Sequence, residues 1–334
     1  MTTEQEPKVA TAPDIEPVSD GVVQALSRSW PVKQPTWEPF GSRPKSWKPD
    51  LLLAAGTLFI TALLLWPSWL TELDVGIRKT AYDNSSELLR EVAFNLTHLG
   101  SGKLVAPIVL ALALWCAVRY RSIRPLLFFG TGFLFLGVIL VVKHLFGRPW
   151  SQRPFFLEHI SEEGPVLFSF IDESAGYIGF ATAYPAGHAV NSIVLYGLIV
   201  MLLGSVMSTR MKWVVLLVPP IAVALSQIYL GLHWFSDVPA GLMLGILFMR
   251  MMQRIPWTKV RLGPLESFEP ASPNTILGIT ALIAALLLAS TFPLALGIVC
   301  SMVLAAIGAI WVVTRYKRYK QAQPADGAST TNSQ

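Results

Sequence analysis

The run His233-Trp234-Phe235-Ser236-Asp237 holds an imidazole and a carboxylate four residues apart. On a helix that spacing puts both on one face, one turn apart. A carboxylate so placed accepts a hydrogen bond from one ring nitrogen and leaves the other as a base or nucleophile. An acid at the mouth of an apolar run is costly unless it has such a role, although the spacing alone also suits a structural pair. His188 closes Tyr184-Pro185-Ala186-Gly187-His188, directly ahead of another apolar run. Gly187 lets backbone amides approach a ligand, and the helix that follows offers free N–H groups and a positive dipole end, an anion site. A histidine there can protonate a leaving oxygen, or simply cap the helix. Lys143 ends a third apolar run and is followed by Gly147-Arg148-Pro149 and Arg153-Pro154. A phosphate ester suits these cations, with arginine giving bidentate contacts and lysine a point charge. Snorkelling to headgroups accounts for Lys143 alone better than for all three.

The elements that must position these groups are membrane helices. The chain has 334 residues, 53% of them apolar and 14% charged, against about 25% charged in a soluble domain. That balance excludes a soluble globule, a disordered chain and a disulfide scaffold. The net charge of +5 comes without a basic cluster interleaved with stacking aromatics, so no nucleic-acid partner is expected. Cys116 and Cys300 both lie in apolar runs and read as packing residues. Eight apolar runs follow one another: Leu51–Leu70, Leu104–Val118, Pro125–Val142, Ala189–Met207, Trp213–Leu232, Trp234–Met249, Ser272–Ser290 and Pro293–Val313. Most approach the roughly 20 residues needed to cross the bilayer, and in lipid each must be helical. Every second connection is basic, including Arg119, Arg121, Arg124, Arg210, Lys212, Arg250, Arg254, Lys259 and Arg261. The positive-inside rule makes that side cytoplasmic, with both termini there. All five histidines, His98, His144, His159, His188 and His233, then fall on the outer side. In the first outer loop Leu88, Val92 and Leu96 recur at helical spacing and predict an interfacial helix over about 84–99.

Taken together, Lys143 with its arginines, the Pro185-Ala186-Gly187-His188 turn and the stretch Ser226 to Asp237 resemble the type-2 phosphatidic acid phosphatase superfamily. That family carries Lys-x6-Arg-Pro, Pro-Ser-Gly-His and Ser-Arg-x5-His-x3-Asp. The Tyr229-Leu230-Gly231-Leu232-His233-Trp234 core matches closely. The resemblance implies an all-α polytopic membrane bundle, with a six-helix phosphatase-like core and two C-terminal transmembrane helices outside it. It implies His233 as the nucleophile taking the phosphoryl group, Asp237 as its orienting acid and His188 as general acid. Lys143, Arg148 or Arg153, Gly187, Ser226 and Gln227 would hold the phosphate, with no metal and no cofactor. The implied function is hydrolysis of a lipid phosphate or polyprenyl diphosphate at the outer face of an inner or plasma membrane. A phosphotransferase of the same mechanism is one alternative, and a non-enzymatic lipid-phosphate binder or transporter on this scaffold is another. Three positions depart from the pattern. The family spacing puts its arginine at Trp150, and an insertion after Pro149 would make Arg153 the equivalent rather than Arg148. Ala186 replaces the serine of the second motif, and Gln227 replaces the arginine of the third. The expected organisation is a loosely attached tail over 1–50, the core over 51–254, a cytoplasmic linker over 255–271, a transmembrane hairpin over 272–314 and a polar tail over 315–334.

Overall fold

The computed structural model describes residues 37, 40, 42–146, 148, 151 and 183–289. Arg153, His159, the second C-terminal run, residues 1–36 of the expected N-terminal tail and the C-terminal tail lie outside them. The described residues form helices and turns, with no strand among them. The helices are α1 (Lys48–Leu63), α2 (Trp69–Asp83), α3 (Glu87–Thr97), α4 (Gly102–Tyr120), α5 (Arg124–Leu145), α6 (Gly187–Leu203), α7 (Thr209–Tyr229), α8 (Asp237–Arg254) and α9 (Pro273–Ala289). Three of them, α4, α5 and α7, are long and apolar enough to cross a membrane, and α6 and α9 are shorter apolar helices. The chain is an integral membrane protein.

The first expected span is two elements. Pro67 interrupts it, α1 ends at Leu63, and Ser68 opens α2 with its backbone N–H donating to Thr71 Oγ1 at 3.0 Å. The connection between α1 and α4 therefore holds two amphipathic helices, α2 and α3, where the leucine spacing predicted one. Helix α3 is capped by Ser86, whose Oγ accepts from Leu89 N at 3.4 Å.

Helix α6 is the centre of the bundle and packs against α4, α5, α7 and α8. Its Val194, Leu195, Leu198 and Met201 are fully buried with Val109, Ala113 and Cys116 of α4 and Phe128 and Phe129 of α5. In α8 a Cβ on Gly241 would stand 2.6 Å from the Ala186 carbonyl oxygen. Only glycine allows that approach, which presses the start of α8 onto the turn before α6.

Two expected boundary regions are packed. Trp37, within the expected tail, is buried, with its ring edge-to-face on Tyr120 at 5.8 Å and Phe128 at 5.2 Å. Asp50 is 3% exposed and pairs with both Arg250 and Arg254 of α8. The 255–271 connection buries Trp257, Phe268 and Ala271. Ala271 N donates to Arg121 O at 2.8 Å, and Arg124 lies 3.5 Å from Glu269. Its tryptophan and phenylalanine hide apolar area that a free linker would leave in water.

Candidate active site

The α7–α8 turn carries the candidate pair His233 and Asp237. Gly231 has φ +63°, and a Cβ there would lie 2.3 Å from the Arg78 guanidinium carbon, so the turn needs glycine. The turn closes with Leu232 N donating to Gln227 O at 3.0 Å. His233 follows, 5% exposed, with Nδ1 3.5 Å from Asp237 Oδ2. The sequence-predicted pairing of imidazole and carboxylate is therefore present, across the turn that opens α8. Asp237 is fully buried; its Oδ2 also accepts from Trp234 N at 3.0 Å, and its Oδ1 accepts from Arg148. Burial holds the His233 imidazole below its ordinary pKa, against the upward pull of Asp237.

The turn before α6 comes to the same place. Ala186 N donates to the Asp237 carbonyl at 3.0 Å, and Ala183 N to the Arg148 carbonyl at 2.9 Å. Lys143 Nζ donates to Pro185 O at 2.9 Å and would stand 3.6 Å from a Cβ on Gly187. That is an ordinary contact distance, so the Gly187 backbone lies directly beside the ammonium. His188 is within electrostatic reach of His233, Lys143 and His98. Two imidazoles, one ammonium, the first turn of α6 and a buried carboxylate thus converge at one end of the bundle.

The remaining candidates are placed differently. Arg148 is 1% exposed and its Nη atoms go to protein acceptors: Nη1 to Ser236 Oγ at 2.8 Å and to Asp237, and Nη2 to Asp74 Oδ2 at 2.6 Å. Ser226 turns back into its own helix, its Oγ donating to Val223 O at 2.9 Å, and the residue borders an apolar cleft of about 440 Å³ with Leu89, Val92, Leu96 and Leu225. Gln227 is 1% exposed; Nε2 donates to Thr97 Oγ1 at 3.3 Å, and Oε1 has no hydrogen-bond partner among the described residues. Arg153 is outside the described residues.

Asp74 and Thr97 were not candidates on sequence. Asp74, from α2, is 1% exposed and accepts from Ser236 N at 2.8 Å, from Ser236 Oγ at 2.6 Å and from Arg148. Its one sequence signal is an acid set among Leu70, Leu73 and Ile77 on an otherwise amphipathic helix.

Residues 124–261 match the sequence profile of the PAP2 superfamily. The PAP2 segment contains Lys143, Arg148, His188, His233 and Asp237, while Asp74 and Thr97 precede it. Phosphatidylglycerophosphatase B of Bacillus subtilis (strain 168) is 27% identical over 190 residues, which cover 54% of this chain and 81% of that protein. An undecaprenyl-diphosphatase of Sulfolobus acidocaldarius is 33% identical over 87 residues, 26% of this chain and 38% of that protein. The crystal structure of a transmembrane PAP2-type phosphatidylglycerolphosphate phosphatase from Bacillus subtilis aligns with a TM-score of 0.47 at 20% identity, covering 65% of this chain and 100% of that one.

Proposed function

We propose that this chain hydrolyses a lipid phosphate or diphosphate at the outer membrane face through a phosphohistidine intermediate. One observation carries the reading: His233 and its buried carboxylate lie near His188 and Lys143, with Lys143 against the Gly187 turn. Because Nδ1 of His233 faces Asp237, Nε2 is the attacking atom. It forms a bond to phosphorus as the bond from phosphorus to the leaving oxygen breaks. His188, protonated, gives its proton to that oxygen, releasing the lipid alcohol or, from a diphosphate, the lipid monophosphate. Water then attacks phosphorus, its proton returns to His188, and the P–N bond breaks to free inorganic phosphate and His233. Lys143 and the first-turn amides of α6 offset the charge on the phosphoryl oxygens. Phosphatidic acid, phosphatidylglycerol phosphate, polyprenyl diphosphate and lipid A phosphate are the substrate chemistries this fits. The family and the names of the relatives support a phosphatase acting on such lipids.

The test is phosphate release from a panel of these four lipids by the purified full chain in lipid nanodiscs, with and without a metal chelator. Wild type is expected to turn over at least one of them in chelator. His233→Ala is expected to abolish turnover, and His188→Ala to lower it by about 100- to 10,000-fold. Turnover that depends on an added divalent cation would reject the metal-free mechanism. Gln227, buried against Thr97 where the family pattern has an arginine, favours a second reading: a lipid-phosphate binder without turnover. Saturable binding of a panel lipid without phosphate release, by wild type and His233→Ala alike, would establish that reading.

A further inference from the structure

We propose that Asp74 and Arg148 are positioning residues that fix the α7–α8 turn and, through Asp237 and Ser236, the orientation of His233. This rests on the reading of His233 as the phosphoryl acceptor. The Nη atoms of Arg148, the one described arginine near the motif position, go to protein acceptors. Nη1 reaches Asp237 and Ser236, and Nη2 reaches Asp74, with all four residues no more than 1% exposed. A guanidinium between two carboxylates in a buried cluster is already neutralised, and a substrate phosphate would have to displace one of them. Arg148 therefore orients rather than holds phosphate, and phosphate holding falls to Lys143 and the α6 amides among the described groups.

Asp74 completes the arrangement from outside the PAP2 segment. Its two oxygens accept from the Ser236 amide, the Ser236 hydroxyl and Arg148, so helix α2 pins the residue immediately before Asp237. Asp237 in turn divides its oxygens: Oδ1 faces Arg148, and Oδ2 faces Trp234 N and His233. If Asp74 loses its charge, Arg148 has only Asp237 as counter-ion. The guanidinium then draws Asp237 toward itself and weakens its hold on the imidazole. Among the described residues, the charged and titratable groups facing His233 are Asp237, Lys143 and His188.

The experiment uses the full chain in nanodiscs, with Asp74→Asn, Arg148→Lys, Ser236→Ala and the exposed control Glu87→Gln. Two readouts are taken: steady-state kinetics on the best panel lipid, and the imidazole titration of ¹⁵N-histidine-labelled protein by NMR, with the His233 signal assigned from its loss in His233→Ala. Asp74→Asn and Arg148→Lys are expected to lower kcat about tenfold or more with KM within twofold of wild type, whereas Lys143→Ala raises KM. Asp74→Asn is expected to shift the His233 titration to lower pH, because one nearby negative charge is removed. Ser236→Ala, which deletes only a hydroxyl, is expected to lower kcat about threefold or more and decides the matter if Asp74→Asn does not accumulate folded. Glu87→Gln stays at wild-type values. The proposal is overturned if Arg148→Lys raises KM at unchanged kcat, or if kcat survives both Asp74→Asn and Ser236→Ala. Because the titration needs no turnover, it separates this inference from the activity. Wild type that releases no phosphate while Asp74→Asn still moves His233 defeats the phosphatase reading alone, and an unmoved His233 defeats the positioning role.

Discussion

At the scale of single residues, the site is a competition between burial and charge. His233 is buried and its imidazole is held below its ordinary pKa. A depressed value keeps the ring neutral as pH falls through about 6.5, the value of a free imidazole. The nucleophilic form is lost only further down. The acid limb of kcat/KM attributable to His233 is therefore expected below pH 6.5, measured as phosphate release against pH on a saturable lipid substrate. A limb above that value would mean that Asp237 outweighs burial. Gln227 makes a second prediction. Its Oε1 is buried without a partner among the described residues, a cost of about 1–3 kcal/mol. Gln227→Met keeps the shape and removes the stranded oxygen, so thermal stability is expected to be unchanged or higher. If the amide serves the substrate, KM should rise at the same time, and the pair of measurements distinguishes packing from recognition.

At the scale of elements, the chemistry was legible where it is local. His233 and Asp237 are four residues apart, and His188 follows its Pro-Ala-Gly turn directly, so spacing made each a candidate that also suited a structural role, and only their occurrence together with the cations singled them out. Asp74 was not legible, because its partners lie 74 and 162 residues away and nothing next to it in the chain marks the pairing. The break between α1 and α2 was missed for a related reason: Trp66, Trp69 and Leu70 prolong the apolar run on either side of Pro67, although the proline ends the helix. Likewise Ser226 matched a motif position, yet its hydroxyl turns to Val223. Element packing gives a prediction of its own. Gly241→Val would drive a side chain into the Ala186 carbonyl. Overpacking of this kind costs about 1–3 kcal/mol, and here it also displaces the turn that carries His188. A lowered melting temperature and a fall in turnover are expected together, read by thermal denaturation and phosphate release in nanodiscs.

At the scale of the whole molecule, orientation in the bilayer is testable by labelling. In a background with Cys116 and Cys300 replaced by alanine, Ser169→Cys is expected to react with an impermeant thiol reagent added to intact cells. Lys259→Cys is expected to react only after the membrane is opened. The reverse pattern would put the histidines on the cytoplasmic side. The pairing of Asp50 with Arg250 and Arg254 bears on the same question of depth. Helix α8 has 18 residues, with Asp237 at one end and Arg254 at the other. At 1.5 Å per residue it is about 27 Å long. Each end is moored by ion pairs, part-buried ones to Asp50 of α1 and buried ones, through Arg148, to Asp74 of α2. Sliding the helix either way would pull one of those pairs apart. The helix thus works as a gauge with two stops, and under the proposed function those stops fix the height at which His233 would meet a headgroup while leaving the length of the lipid tail unread.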